Sequence, residues 1–369
     1  MLTIGTGING GHVRKVGFIV GPALGHVGRS FKAALQLRSI CDAQIIFISP
    51  DHGRYVERLV GKDFETIAVP TSSFEKSDSF QEFASGLEQV FTANRFDIIV
   101  HDLCPLRWLS TTRFPDCPRV NVTNVFLTKI ANARTSQAMR FDRIGDRINS
   151  IRTEKGLPPL HTVFDLYEAD LVLLADPSRL TSRYGRLPSH YFPCGPSSWG
   201  ADGNLPDALS TVKNALLLSM GSLGKRELDP ELLTKIMRQA GCQSSIYVGN
   251  KVESVRKLGI VDHIYDWLPL EKVLDRVKVV MSHGGSGSTY QALSFGVPVI
   301  VFSMETNLEI FGNILEDLGV GICISDEASF AKIDAFDFNQ LSANAVIFAD
   351  EMKGQDGPDR IAREIANLL

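Results

Sequence analysis

The 369-residue chain lacks an excess of charge of either sign: 38 Lys and Arg stand against 42 Asp and Glu, a formal net charge of −4. Such a balance exerts no general pull on nucleic acid, so an anionic partner has to be held by a local site. The chain also lacks any apolar run approaching the ~20 residues that cross a bilayer. Its first residues, MLTIGTGINGGHVRK, lack the apolar stretch of about 7–15 residues that marks a secretory signal. The expectation is a cytoplasmic protein with no integral membrane segment and no nucleic-acid partner. Cysteine is sparse and scattered, at Cys41, Cys104, Cys117, Cys194, Cys242 and Cys323, with no Cys-x-x-Cys pair. Zinc and dithiol motifs need closer spacing, which leaves reduced, mostly buried thiols. There is no Asp-x-Asp motif or other carboxylate cluster, no short-period repeat and no low-complexity segment.

What is present is a globular composition, 44% hydrophobic and 22% charged, in a chain long enough for two domains with a core each. Short apolar runs alternate with longer helix-like stretches, the pattern of parallel sheets with crossover helices. In the first half the strand candidates are Val16–Val20, Ala43–Ile48, Thr66–Val69, Ile98–Val100, Val120–Val122 and Leu171–Leu174. Their continuous apolar character suits strands buried on both faces. Helix candidates between them include Ser30–Arg38, Phe80–Ala93 and Ser136–Lys155. The stretch from Pro188 to Pro206, with Pro193, Gly195, Pro196, Gly200 and Gly203 between, reads as a polar interdomain linker. The pattern then restarts with Ala215–Met220, Ser245–Val248, Val279–Met281 and Val297–Phe302 as strands, and closes with helices over Ser342–Met352 and Asp359–Leu369. This implies an α/β protein of two doubly wound domains: 1–195, a linker over 196–212, 213–352, and a last helix over 353–369 packing back toward the first domain. Open parallel sheets bind ligands outside the carboxyl ends of their strands, which makes the loops after strands the ones to read.

One such loop lies in the second half, within Val279-Val-Met-Ser-His-Gly-Gly-Ser-Gly-Ser-Thr-Tyr-Gln-Ala-Leu-Ser-Phe-Gly-Val-Pro-Val-Ile-Val-Phe302. It reads strand, glycine loop, helix, glycine-proline stop, strand. Gly284, Gly285 and Gly287 remove side chains where a phosphate must approach the backbone closely. Ser286, Ser288 and Thr289 supply hydroxyls and can cap the helix start. Free N–H groups of the first turn favour an anion there by about 0.3–1 kcal/mol, and more where partly buried. His283 leads into the loop and can donate to a phosphate oxygen, while Gln291, one turn into the helix, can bond a ribose hydroxyl. The plainer alternative is a glycine-rich turn with Ser286 as a cap and His283 as a core histidine.

The segment His283-Gly-Gly-Ser-Gly-Ser-Thr-Tyr-Gln-Ala-Leu-Ser-Phe-Gly-Val-Pro298 resembles the donor-binding signature of family 1 glycosyltransferases. These are GT-B-fold enzymes that include bacterial macrolide-type and plant secondary-metabolite transferases. Tyr265-Asp-Trp-Leu-Pro-Leu-Glu-Lys-Val-Leu274 is similar to the family segment in which an aromatic side chain stacks on the nucleobase, here Trp267 followed by Leu268. Leu217-Leu-Ser-Met-Gly-Ser222 is similar to the strand and turn that approach the diphosphate, which brings in Ser222. Arg152-Thr-Glu-Lys-Gly-Leu-Pro-Pro159 and Asp170-Leu-Val-Leu-Leu-Ala-Asp176 resemble parts of the family's first domain, and order and spacing agree over about 300 residues. The chain departs from the pattern at Gln291, where the family carries a carboxylate on the ribose. It departs again at Glu309-Ile310, where an acid followed by Gln contacts sugar hydroxyls, and at Leu270, where Gln is common. Glu309 keeps the acidic position; Gln291 loses charge assistance.

The resemblance implies the GT-B fold, an acceptor-binding first domain, a donor-binding second domain and UDP- or dTDP-sugar as donor. In the loop Gly21-Pro-Ala-Leu-Gly-His-Val-Gly-Arg29, His26 matches the Gly-His that supplies the family's base. An acceptor hydroxyl loses its proton as the glycosidic bond forms, and a histidine with an ordinary pKa of about 6.5 suits that step. Asp102, after Ile98-Ile-Val-His, matches the carboxylate that orients the base, while His101 faces the other way on an extended chain. Gly10-Gly-His12 is a decoy that precedes the first strand. Inverting transfer in one displacement, without metal or other cofactor, to a small-molecule or lipid-like acceptor is the implied chemistry. A GT-B-like nucleotide-sugar 2-epimerase and a non-catalytic nucleotide-sugar-binding subunit remain alternatives. The basic side chains Lys129, Arg134, Arg140, Arg143, Arg147, Arg152 and Lys155 read as a solvated face, with an anionic acceptor or membrane-surface site as the other option.

Overall fold

The computed structural model describes residues 13–50, 54–71, 79–102, 109–132, 145–197, 200, 203–221, 227–302 and 306–369. The strands form two sheets in which every pairing is parallel. The first contains β1 (Arg14–Ile19), β2 (Ala43–Pro50), β3 (Glu65–Val69), β4 (Ile98–His101), β5 (Arg119–Thr123), β6 (Leu171–Leu174) and β7 (Tyr191–Pro193), in the order β3-β2-β1-β4-β5-β6-β7. The second contains β8 (Ala215–Ser219), β9 (Ser244–Val248), β10 (His263–Tyr265), β11 (Val277–Ser282), β12 (Val299–Phe302) and β13 (Gly321–Ile324), in the order β10-β9-β8-β11-β12-β13. This is the GT-B architecture, two Rossmann-like sheets.

The central strands carry apolar stretches that are buried on both faces. Leu216, Leu217 and Leu218 are all fully buried, as are Ile46, Phe47 and Ile48. Phe18 of β1 stacks on Phe47 of β2 with ring centroids 5.2 Å apart. Three strands depart from the sequence expectation. β7 falls inside the stretch read as linker, and its Pro193 is tolerated because an edge strand leaves N–H groups without a ladder partner. β10 is a half-buried edge strand of three residues, and β13 is a buried edge strand of four; neither is long enough to stand out as an apolar run.

The core does not divide as two separate units. One buried cluster joins Val125, Phe126, Leu127, Val172 and Leu174 of the first half to Leu217, Tyr290, Phe311 and Phe348 of the second. Phe126 stacks on Phe311 at 4.4 Å, and Tyr290 meets the same ring edge-on at 5.6 Å. The Gly357–Ala366 helix packs on the Leu24–Ile40 helix and places Ile361, Ala362 and Ile365 in the core of the first sheet. Cys41, Cys117, Cys194, Cys242 and Cys323 are free thiols, and Cys104 lies outside the described residues. No helix among the described residues is long and apolar enough to cross a membrane.

Candidate active site

In each sheet the strand order reverses once, between β1 and β4 in the first and between β8 and β11 in the second. At such a point the loops leaving adjacent strands turn to opposite sides and open a crevice at the carboxyl ends. The residues singled out from sequence follow these four strands. His26 comes after β1, Asp102 directly after β4, Gly221 after β8, and His283 to Ser288 after β11.

The Leu24–Ile40 helix begins earlier than the Ser30 expected from sequence. His26 and Arg29 therefore sit in its first two turns rather than in a loop. Helical geometry fixes His26 so that Nδ1 lies 3.2 Å from Asp102 Oδ1. Asp102 is fully buried, while His26 keeps 27% of its side-chain surface exposed. The contact is one of proximity, not of an aligned hydrogen bond. A partly exposed imidazole with a buried carboxylate beside one ring nitrogen is an arrangement that general-base chemistry can use. His101 faces away: its ring packs on Phe114 with centroids 6.0 Å apart, and burial, reinforced by the charge of Arg119, lowers its pKa to about 3. It stays neutral, and no protonation step falls to it near neutral pH.

On the other side of the crevice, the Ser286–Ser294 helix starts from Gly285, with no side-chain cap on its first turn. Ser286 does not cap the helix as expected; its hydroxyl instead donates to Asn124 Oδ1 of the first domain at 3.0 Å. Ser288 Oγ returns to the Gly285 carbonyl at 3.3 Å. The uncapped N–H groups of the turn remain a site that favours an anion. The glycines have different reasons. Gly284 adopts φ +96°, and a Cβ there would meet Val301 at 2.9 Å, so backbone conformation and packing require it. At Gly287 a Cβ would meet nothing within 4 Å, and this is the position that leaves space open. His283 is pushed toward the neutral form by burial, against a backbone hydrogen bond with Ser219. Its ring lies over Gly221, where φ is +69° and a Cβ would sit 2.3 Å from His283 Cε1. Gly221→Ala is therefore expected to displace His283 in addition to the strain of about 1–2 kcal/mol that a left-handed non-glycine residue incurs. Nucleotide titration should show weaker binding with the fold retained by circular dichroism; unchanged affinity would separate His283 from the nucleotide.

The two sides meet through Arg29, which is 7% exposed. Its Nη2 donates to Asn124 Oδ1 at 2.8 Å and to Ser286 Oγ at 2.9 Å, while Nη1 lies 3.4 Å from Asp102 Oδ1. Asn124 Nδ2 in turn donates to Asp176 Oδ1 at 2.8 Å, the Val125 N–H donates to Asp176 Oδ2 at 2.6 Å, and Tyr290 of the second domain donates its hydroxyl to the same carboxylate. Asp176 is fully buried, and burial raises its pKa against these donors and the charge of Arg29. A polar network thus runs from the His26–Asp102 pair to the glycine loop. Sequence reasoning missed Arg29 and Asn124 as site residues. It met Asp176 only inside a resembling segment, although a carboxylate directly after a buried strand is the same signal that singled out Asp102.

The remaining candidates fall around this centre. Trp267 is half-buried, and the guanidinium of Arg58 from the first domain lies 4.8 Å from its ring centroid, so one face already carries a cation. Leu268 is a core side chain at 4% exposure, which leaves only its backbone for a ligand. Gln291 is buried, and its Nε2 reaches Glu271 Oε1 at 3.3 Å. A carboxylate therefore stands beside the neutral residue, supplied from another loop. Glu309 is half-buried in the first turn of the Thr306–Asp317 helix. Ser222 and the Gly10–His12 decoy lie outside the described residues. Of the basic stretch, Lys129 pairs with Asp165 at 2.5 Å, Lys155 with Glu88 at 2.8 Å, and Arg152 bonds the Pro158 carbonyl at 2.6 Å, while Arg134, Arg140 and Arg143 lie outside the described residues. These contacts tie much of the basic charge to the protein itself.

Residues 245–368 match the family described as erythromycin biosynthesis protein CIII-like, C-terminal domain. Over 188 residues the chain is 29% identical to a PGL/p-HBAD biosynthesis glycosyltransferase of Mycobacterium tuberculosis, an alignment that takes in 49% of this chain and 42% of that protein. The chain thus spans less than half the length of that curated relative. Among solved structures, the glycotransferase of kitacinnamycin superimposes with a TM-score of 0.72 at 16% identity, covering 97% of this chain and 100% of the other. Spinosyn rhamnosyltransferase SpnG complexed with thymidine diphosphate superimposes with a TM-score of 0.66 at 17% identity, covering 96% and 100%. At these identities the likeness is one of fold.

Proposed function

We propose that this chain, a member of the family 1, GT-B-fold glycosyltransferases of natural-product type, moves a sugar from a nucleoside diphosphate to a hydroxyl of a small-molecule or lipid-like acceptor. The observation that carries the reading is the meeting of two half-sites: the His26–Asp102 pair and the uncapped glycine loop are joined by side chains that bond across the domains. The donor is UDP- or dTDP-sugar. Its diphosphate lies against His283 and Gly284 to Ser288, with charge on the leaving group stabilised by the helix N–H groups and the imidazole. Trp267 offers the base the ring face opposite Arg58. The ribose is held by Gln291, with Glu271 restoring the charge that Gln291 lacks, and Glu309 contacts sugar hydroxyls.

In the reaction the acceptor oxygen attacks the anomeric carbon as the bond to the diphosphate oxygen breaks. The acceptor proton passes to Nε2 of His26, whose Nδ1 faces Asp102. Attack from the face opposite the leaving group inverts the anomeric configuration. Fixed donors and a nearby guanidinium provide what a divalent cation would, so the reaction is metal-independent. The test is incubation with UDP- and dTDP-sugars and a panel of hydroxylated acceptors, read by mass spectrometry and by the anomeric coupling of the product. A glycosylated product at an unchanged rate in excess EDTA is expected. Loss of transfer on chelation contradicts metal independence, and an epimerised nucleotide sugar formed without acceptor contradicts transfer itself.

A further inference from the structure

A buried guanidinium needs acceptors that match its charge, since removing it from water costs several kcal/mol unless it is well paired. Arg29 has five N–H donors in a planar fork. Its contacts are two neutral oxygens, Asn124 Oδ1 and Ser286 Oγ, and one edge of Asp102 at 3.4 Å that it shares with His26. The loop that Arg29 reaches is uncharged: Gly284, Gly285, Ser286, Gly287, Ser288 and Thr289 carry no charge, and burial holds His283 toward neutrality. The helix end adds only about half an elementary charge. Two buried polar atoms at the head of this helix, His283 Nδ1 and Thr289 Oγ1, have no hydrogen-bond partner. The assembly therefore leaves polar atoms with unused hydrogen-bonding capacity beside Ser286, with the cation supplied by the opposite domain.

We propose that Arg29 is a ligand of the donor diphosphate contributed by the first domain, with phosphate oxygens replacing Ser286 and Asp102 as its partners. The inference rests on the nucleotide-sugar reading above and deepens it. Arg29 sits on the same helix as His26, so diphosphate binding draws the base-carrying helix onto the donor loop. It also draws Arg29 off the Asp102 oxygen that faces His26.

The experiment compares a nucleoside 5′-diphosphate with the corresponding nucleoside, using UDP and uridine or dTDP and thymidine. Calorimetry measures the diphosphates, and ligand-observed NMR measures the nucleosides. Charge-assisted hydrogen bonds predict that Arg29→Gln weakens the diphosphate by about 10–100-fold and shifts the nucleoside by less than about two-fold. Arg29→Lys, which keeps the charge without the fork, should fall between. Equal weakening of both ligands, or none, overturns the inference while leaving the donor site standing. A wild type that binds neither ligand removes the donor reading and this inference with it. Should Arg29→Gln fail to fold, the wild-type guanidinium 15N signal, assigned from Arg29→Lys, gives the answer. A shift with diphosphate but not with nucleoside is expected, and an unmoved signal overturns the proposal.

Discussion

His26→Ala should slow glycosyl transfer by about 10²–10⁴-fold, the contribution typical of a positioned general base, while leaving nucleotide affinity unchanged. The separation follows from geometry. His26 lies in the first domain beside Asp102, and the contact with Ser286 of the glycine loop is made by Arg29 of the same helix. Asp102→Asn removes the charge that faces Nδ1 and should lower kcat by more than it changes donor KM, because that charge lies 3.2 Å from the His26 ring nitrogen. Initial rates with saturating donor, together with calorimetric titration of the nucleotide, check both. Loss of nucleotide affinity in step with turnover would mean that His26 supports the fold of the site instead of taking a proton.

The second large effect concerns Asp176. Its carboxylate accepts from the Val125 N–H, the Asn124 amide and the Tyr290 hydroxyl, all buried. Asp176→Ala strands these donors at about 1–3 kcal/mol each, so a loss of about 3 kcal/mol or more is expected in urea unfolding. The variant also cuts the tie between domains, and transfer should fall with stability. Burial raises the pKa of Asp176 in the folded protein above the ordinary carboxylate value of about 3.9. The folded state thus holds this proton more tightly than the unfolded chain. Its contribution is fully present below the unfolded pKa and is lost as pH rises through the folded-state titration. Asp176→Asn cannot ionise and turns an amide donor toward one of the existing donors. It should be less stable than wild type at low pH, with the gap narrowing as pH rises. A gap that widens with pH would show that the donors and Arg29 outweigh the burial of the charge.

The parts of the molecule legible in the sequence are those set by local chemistry. β1, β2, β6 and β8 each contain a run of buried apolar residues, and that pattern survives without knowledge of neighbours. The glycine loop was legible because residue type follows local geometry there: Gly284 answers to a backbone angle and Gly287 to space. What escaped depends on distance along the chain. Arg29 and Ser286 are 257 residues apart, and Asp176 and Tyr290 are 114 apart; no window of sequence pairs them. The glycines and proline from Gly21 to Gly28 argued for a loop, yet the Leu24–Ile40 helix begins among them because Val27, Ala33, Ala34 and Leu37 bury a face. Arg58 over Trp267 and Glu271 beside Gln291 are likewise products of assembly.

The measurement that bears most directly on the account is calorimetric titration of the wild type and His283→Ala with UDP, dTDP, GDP and ADP. UDP or dTDP is expected to bind in preference to the purine nucleotides, and His283→Ala is expected to weaken that binding while retaining the fold. No binding of any nucleoside diphosphate, or equal binding by the variant, would contradict a donor site built on His283 and the loop that follows it.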